Sequence, residues 1–350
     1  ISEALQEKGI EPEIHDLLEF LPAPMARFYS FAYEFMITKG RRLWKLTYAL
    51  VNLPKSPYSP GKALTQKWQF TRLKQFIRKG NFTDLISTHF TPSALFSDWI
   101  ASGDLRTRTY SVVTDHEAHR CWKRSGLTHY FVATSTVAEQ MQTCGIPAER
   151  LSVTGIPVSR AFDTDLTQLS ARAKWSLPAD EKVVLVLCSA LTLQDSASML
   201  EEFACLDIPA RYLVSAGKEA ERENYLKRKF HSDPRFVIFG FSDQIATMMR
   251  ASDLIVTKPG GLIVSEALAM GIPQILLEPI PGQEEANARY AENTGAAVCF
   301  HRKQDVIAQM LRQVIVDTEK LTRMSEAAKK AGRPDAARKI AETILSQFVV

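Results

Sequence analysis

The stretch TKPGGLIVSEA, Thr257 to Ala267, sets two adjacent glycines after an apolar run and before a helical pattern. A strand, a tight turn and a helix N-terminus in that order leave unpaired N–H groups pointing outward, and the helix dipole adds to their attraction for an anion, most simply a phosphate. Gly260 and Gly261 let the backbone approach such a group where a Cβ would stand in the way. The spacing is neither a GxxxxGK[ST] Walker loop nor a GxGxxG fingerprint, and two glycines alone equally describe an ordinary loop. Glu266, five residues past Gly261, lies a little over one turn into the helix, where a carboxylate can accept from a ribose diol. In PIPGQEEANARY, Gln283 and Glu284 set an amide beside a carboxylate, a pairing suited to several sugar hydroxyls at once. A phosphate cradle, a ribose acceptor and a sugar clamp in that order suggest a nucleotide sugar.

A second group of candidates lies earlier in the chain. Asp115, His116 and His119 follow the apolar run YSVV, and His89 follows DLIS. Open α/β sheets bind ligands at the C-terminal ends of their strands, so these residues are placed to line a site. Asp115 could equally cap a following helix, with the histidines as ordinary surface or pocket groups.

Short β-rich runs alternate with amphipathic helices along the whole chain, without internal repeats or low-complexity tracts. EIHDL, DLISTHF, TYSVVTD and HYFVATS read as strands in the first half; TVAEQMQTCGI reads as a helix stopped at Gly145. In the second half KVVLVLCSA, ARYLVSAG, RFVIFGF, DLIVTKPGG, PQILLEP and AAVCFHR read as strands. Continuous apolar strands separated by helices imply parallel sheets covered on both faces. The expected fold class is therefore α/β, two Rossmann-like doubly wound domains, with the cleft between them as the default ligand site. The boundaries expected are an N-terminal domain over 1–160, a polar linker over 161–180, a C-terminal domain over 181–335 and a C-terminal helix over 336–350 that could return to the N-terminal domain. ISEALQEKGI reads as an amphipathic helix ending at Gly9, so that upstream sequence is expected to have been left out.

A chain of 350 residues is longer than one core usually organises, which agrees with two domains. No apolar stretch approaches the roughly 18 to 20 uninterrupted residues of a membrane-spanning helix, so contact with a bilayer would be from one side. Five scattered cysteines without a CxxC pair read as reduced core thiols, and no metal site is expected. Between Pro24 and Phe82, twelve Lys and Arg stand against the single acid Glu34, about +11 in a chain whose net charge is +4. That segment interleaves aromatics such as Trp44 and Trp68 with basic residues such as Arg41, Arg42 and Lys45, the mixture that seats rings at headgroup depth beside anionic lipid. A solvated helical face over core aromatics would carry the same residues, and nucleic acid is the weaker alternative.

At these residues the sequence resembles a known family. DLIVTKPGGLIVSEALAMGIPQILLEPIPGQEEANARYAENTGAA is similar to the donor-binding half of the two-domain GT-B glycosyltransferases. The relatives in question are the bacterial diacylglycerol glucosyltransferases, the plant monogalactosyldiacylglycerol synthases and, further off, the enzyme that adds N-acetylglucosamine to lipid I. VVTDHEAHRCWKRSGLTHYFVATSTVAEQMQTCGIPAERLSVTGIPVSRAF resembles the family's TDxxxHxxW segment and its exit into the linker. The resemblance implies that Gly260 and Gly261 meet the diphosphate, Glu266 the ribose, and Gln283, Glu284 and Asn287 the hexose, while Phe241 and Ser242 offer backbone groups to uracil and Gly217 lies against the donor.

It further implies inverting transfer of glucose or galactose from a UDP-sugar to diacylglycerol or a glycosyl-diacylglycerol, with UDP-sugar as co-substrate, no tightly bound cofactor and no metal. Such a protein would sit peripherally on the cytoplasmic face of a membrane, with Arg41, Arg42, Trp44 and Lys45 toward anionic lipid. An inverting displacement needs a general base; Asp115, His119 and Trp122 match the family's pattern, with His119 or Asp115 as base and His89, His116 and Trp122 lining the acceptor side. Departures from the pattern are the absent first strand and Gly-rich loop, Arg124 at a position often His, and VLVLCSALTLQDS where relatives carry a glycine-rich turn. The alternatives that remain are a non-catalytic UDP-sugar sensor, a lipid I N-acetylglucosaminyltransferase and a UDP-sugar 2-epimerase.

Overall fold

A computed structural model of the chain describes residues 1–38, 70–163, 165–301 and 306–346. It resolves into two compact units, one made of 1–157, 280–286 and 335–350, the other of 158–279 and 287–334.

Unit 1 holds a four-stranded parallel sheet in sequential order, β1 (Asp84–Ser87), β2 (Arg108–Val112), β3 (His129–Val132) and β4 (Leu151–Val153). Its helices are α1 (Ser2–Gln6), α2 (Ala23–Thr38), α3 (Thr71–Gly80), α4 (Phe90–Ala101) and α5 (Ser135–Gln142). α5 begins where the Thr134 hydroxyl accepts from the Val137 N–H and gives way to Gly145 at φ +86, a left-handed position that suits glycine. Tyr110, Val112, Phe131 and Val132 are fully buried, as expected of strands covered on both faces. Burying each such side chain contributes about 1.5–3 kcal/mol. EIHDL is not a strand: Asp16 accepts from the Leu18 N–H and starts a short 3-10 turn, Leu17–Phe20, whose apolar residues pack on the core under α3. A local cap between two prolines outcompetes an extended run too short to find a partner. A cavity of about 1120 Å³ lies beside β1 and reaches His89 and Phe90.

Unit 2 holds a six-stranded parallel sheet, β5 (Lys182–Leu187), β6 (Ala210–Ser215), β7 (Phe236–Phe239), β8 (Leu254–Thr257), β9 (Gln274–Leu277) and β10 (Ala297–Phe300). The order across the sheet is β10-β9-β8-β5-β6-β7, so the direction of winding reverses between β5 and β8. All six expected strands are present. The helices in chain order are α6 (Gln168–Lys174), α7 (Leu193–Ala204), α8 (Ala220–Lys229), α9 (Ile245–Ala251), α10 (Gly261–Ala269), α11 (Gln283–Asn293), α12 (Ile307–Ile315), α13 (Thr318–Ala331) and α14 (Ala336–Ser346).

One segment differs from the sequence expectation in where it packs, and another lies where the sequence allowed it. The stretch 161–180, read as a linker, carries α6, which is built into unit 2: Arg172, 5% exposed, pairs with Asp253 at 2.6 Å and donates to the carbonyls of Ala251 and Ala179. Its polar composition hid a helix whose single inward Arg finds its carboxylate partner some eighty positions away. α14 belongs to unit 1, where Ala341 packs against Ala4 and Leu5 of α1, and Ile340 and Ile344 lie under the sheet with Tyr110 and Phe131.

Candidate functional site

In unit 1 the chain leaves β2 at Val112 and turns through Asp115 to His119, both 7% exposed. Asp115 does not begin a helix here. Its Oδ2 accepts from the Trp122 indole N–H at 2.8 Å and from the Gln283 amide nitrogen at 2.8 Å, while Oδ1 carries no hydrogen bond to the described residues. Burial pushes the Asp115 carboxyl above its ordinary value, and the two donated bonds work against that rise.

His119 stands 3.6 Å from the same oxygen. Its Nδ1 is approached by the Cys121 N–H at 3.2 Å and its Nε2 by the Gln283 amide nitrogen at 3.0 Å. A neutral imidazole has one bare nitrogen and satisfies one of these donors; an imidazolium satisfies neither. Burial, with His89 and Lys123 nearby, lowers His119 to about 4, so at neutral pH the contact with Asp115 is dipolar rather than an ion pair. Burial alone lowers His116 to about 3. The Phe90 ring stands edge-on to His119 at 5.3 Å and to Trp122 at 6.0 Å, with His89 against it at 4.1 Å. His89 accepts the Thr91 N–H on Nδ1, which puts the proton of the neutral ring on Nε2. Asp115, His119, Trp122, His89 and Gln283 therefore form one cluster, although Gln283 is 168 positions from Asp115 in sequence.

Glu284 and Glu285 are both engaged at the start of α11. Glu284 accepts from the Ile280 N–H at 2.7 Å and Glu285 from the Gly282 N–H at 3.1 Å, so they hold the loop that presents Gln283.

In unit 2, residues 258–261 follow β8 and residues 188–192 follow β5, the two strands that flank the reversal in winding. Open α/β sheets bind ligands at such a point. Gly260 is the N-cap of α10 with φ −65, an angle any residue adopts, and an added Cβ would meet nothing nearer than Ile263 Cγ2 at 3.7 Å. Neither backbone strain nor internal packing calls for glycine there.

The side chain of Glu266, half-buried one turn further, has no hydrogen bond or ion pair to the described residues, and burial pushes its carboxyl up to about 7. Asn287 is 1% exposed and donates to the Pro259 carbonyl at 3.2 Å, bracing the glycine turn. The Lys258 ammonium, also buried, donates to the Glu278 carbonyl. Phe241 is 66% exposed beneath the Lys218 ammonium, and Ser242 accepts from the Gln244 N–H. Gly217 has φ +82, and a Cβ there would stand 2.9 Å from that of Ser189, so conformation and packing both demand glycine.

Arg41, Arg42, Trp44 and Lys45 lie outside the described residues. Among the described residues no group of three or more His, Cys, Asp and Glu could hold a metal ion, and no helix is long and apolar enough to cross a membrane. Sequence reasoning did not single out Phe90 or Arg222, whose contacts join segments far apart in the chain.

Residues 1–158 match the family described as monogalactosyldiacylglycerol synthase, and residues 168–331 that described as glycosyl transferases group 1. A processive diacylglycerol beta-glucosyltransferase of Bacillus pumilus is 31% identical over 68% of this chain and 62% of its own length. The protein of the same name from Bacillus mycoides is 34% identical over 68% of this chain and 61% of its own. The match thus spans less than two thirds of these relatives. In fold, the chain is similar to MnaA of S. aureus, solved with UDP, at a TM-score of 0.61 and 16% identity over 85% of this chain and 84% of that one.

Proposed function

We propose, from the premise that the chain belongs to the monogalactosyldiacylglycerol synthase family over residues 1–158 and to the group 1 glycosyl transferases over residues 168–331, that it is an inverting glycolipid synthase. It moves a hexose from a UDP-sugar to the free hydroxyl of diacylglycerol or of a glycosyl-diacylglycerol. Glucose is the hexose favoured by the name of the Bacillus relatives, with galactose as the alternative donor.

The observation that carries this reading is the hydrogen bonding of Gln283, from the PGQE stretch, to both Asp115 and His119. It brings a residue suited to sugar hydroxyls to the same point as a buried carboxylate–imidazole pair suited to take a proton. In the proposed step the acceptor hydroxyl oxygen attacks the anomeric carbon and the bond from that carbon to the diphosphate oxygen breaks, its electron pair leaving with UDP. The hydroxyl proton passes to Asp115, whose Oδ1 has a lone pair open while Trp122 and Gln283 fix Oδ2. His119, neutral at pH 7, lines the same space as a second acceptor. In unit 2, the N–H groups at the start of α10, beside Gly260 and Gly261, are suited to the charge that grows on a departing diphosphate. Glu266 accepts the ribose diol; Gln283 and the Glu284 it neighbours read the hexose. A membrane surface supplies the lipid, with the basic aromatic segment around Arg41, Arg42, Trp44 and Lys45 toward anionic headgroups.

The test is a transfer assay with the full-length protein, diacylglycerol in anionic vesicles and UDP-glucose or UDP-galactose in parallel, scored by product lipid and released UDP. A glycolipid from one donor is the expected result, with Asp115→Asn lowering kcat by about 10²–10⁴ while UDP-glucose binding persists. UDP-sugar binding without product by the parent protein would turn the reading to a sensor.

A further inference from the structure

Arg222 projects from α8 and is 3% exposed, a buried cation to which the proposed reaction assigns no task. Its guanidinium donates through Nη1 to the carbonyls of Cys188 at 3.1 Å and Ala216 at 2.9 Å, and through Nη2 to the Leu191 carbonyl at 2.7 Å and to Glu219 Oε1 at 2.9 Å. Cys188 is the first residue past β5, Ala216 the first past β6, and Leu191 precedes Thr192, the N-cap of α7. One planar fork thus ties the ends of two neighbouring strands to the start of a helix, a geometry that a lysine cannot reproduce. The turns it ties are in contact, since the position of a Cβ on Gly217 lies 2.9 Å from Ser189 Cβ and 3.7 Å from Arg222 Nη1.

The charge balance of this arrangement is unusual. Burying a guanidinium costs several kcal/mol unless a carboxylate compensates it. The one carboxylate paired with it among the described residues, Glu219, has a side chain 63% exposed, where water screens it. Carbonyls at the C-terminal ends of parallel strands present partial negative charge to whatever binds there; Arg222 draws two of them, and the Leu191 carbonyl in the turn, onto itself and leaves net positive charge beneath the turn.

We propose that Arg222 is a positioning residue for the donor: it shapes residues 188–192 and Gly217 and sets a fixed positive charge under the place where the diphosphate of a UDP-sugar is held. This rests on the donor reading above. It also accounts for a turn after β5 built from Ser189, Ala190 and Leu191 in place of glycines, because the anion is attracted by a charge behind the backbone as well as by backbone N–H groups.

The test is UDP-glucose binding by calorimetry at two ionic strengths, with turnover measured in parallel, on Arg222→Met, Arg222→Lys and Glu219→Gln. Arg222→Met is expected to raise Kd about tenfold, equivalent to about 1.4 kcal/mol, and to flatten its dependence on salt. KM for UDP-glucose rises with it while kcat stays within about threefold. Arg222→Lys, which keeps the charge and loses the fork, recovers part of the affinity and the salt dependence. Glu219→Gln removes the exposed countercharge and is expected to tighten binding. A folded Arg222→Met protein with the parental Kd overturns the inference. So does a parental Kd that is the same at both ionic strengths, a readout that stands even if the Arg222 variants do not fold. Failure of the parent protein to bind UDP-glucose would overturn the donor reading and this inference together, whereas normal parental binding with unaffected variants overturns the inference alone.

Discussion

Glu266 sits on α10 with a carboxyl raised from 4.5 to about 7, burial being the one cause. Each pH unit of such a rise corresponds to about 1.4 kcal/mol, so the ionised side chain costs the folded protein roughly 3 kcal/mol at pH 8. The sign follows from which state holds the proton. Below the unfolded value of 4.5 both states are protonated and the cost vanishes; between 4.5 and about 7 the folded state keeps the proton longer and stability falls as pH rises; above about 7 the full cost applies. Glu266→Gln removes the charge and keeps the shape. It should therefore stabilise unit 2 by up to about 3 kcal/mol at pH 8 and by nothing near pH 4. Urea unfolding read by hydrogen exchange of the β8 peptide reports on this unit separately.

The same substitution should weaken UDP-glucose binding. A hydrogen bond to a charged acceptor contributes about 1.5–3 kcal/mol, so Kd should rise about 10- to 100-fold. In the parent protein the ribose hydroxyls favour the ionised carboxylate, so binding should tighten as pH rises toward about 7 and level off above it, while the Gln variant shows no such slope. UDP-glucose suits the assay because its diphosphate, esterified at both ends, lacks the ionisation near pH 6 of a terminal phosphate. A Gln variant no more stable than its parent at pH 8 refutes the burial argument, and an unchanged Kd refutes the ribose role.

Gly260→Ala adds a Cβ that meets only Ile263 at 3.7 Å, so stability should change by less than about 1 kcal/mol while UDP-glucose affinity falls; calorimetry beside thermal unfolding separates the two. Trp122→Phe deletes the indole N–H that stabilises ionised Asp115, so the carboxyl should rise further and the acid limb of the kcat/KM profile should move to higher pH. Changing Arg41, Arg42 and Lys45 together to Glu should abolish sedimentation with anionic vesicles, since each basic residue near such a surface contributes about 1 kcal/mol. Persistent sedimentation would remove the membrane surface from the reading.

The α/β class and all six strands of unit 2 were legible because a strand buried on both faces must be apolar end to end, and runs such as KVVLVL and DLIVT are so without ambiguity. The turn after β8 was legible for a related reason: Gly260 and Gly261 between an apolar run and a helical pattern fit few local structures. EIHDL was misread because its apolar content and a β-branched residue outweighed Asp16, whose bond to the Leu18 N–H is a single local contact. The segment 161–180 was misread because its polarity is that of a linker, while Arg172 finds its partners in Ala251 and Asp253.

The residue types able to handle a nucleotide sugar, their order along the chain and the class of fold that carries them were determined by the sequence itself, because periodicity, turn chemistry and charge segregation are local properties. Which of those residues meet was decided by tertiary structure. Gln283 reaches Asp115 and His119, whereas Asn287, four residues on, is committed to the Pro259 carbonyl. Arg222 gathers carbonyls from the ends of β5 and β6, and the Glu266 carboxyl is left half-buried without a partner among the described residues. Parallel strands joined by long crossovers bring together chain ends that no short pattern links, and burial at those ends sets the proton affinities on which the proposed chemistry depends.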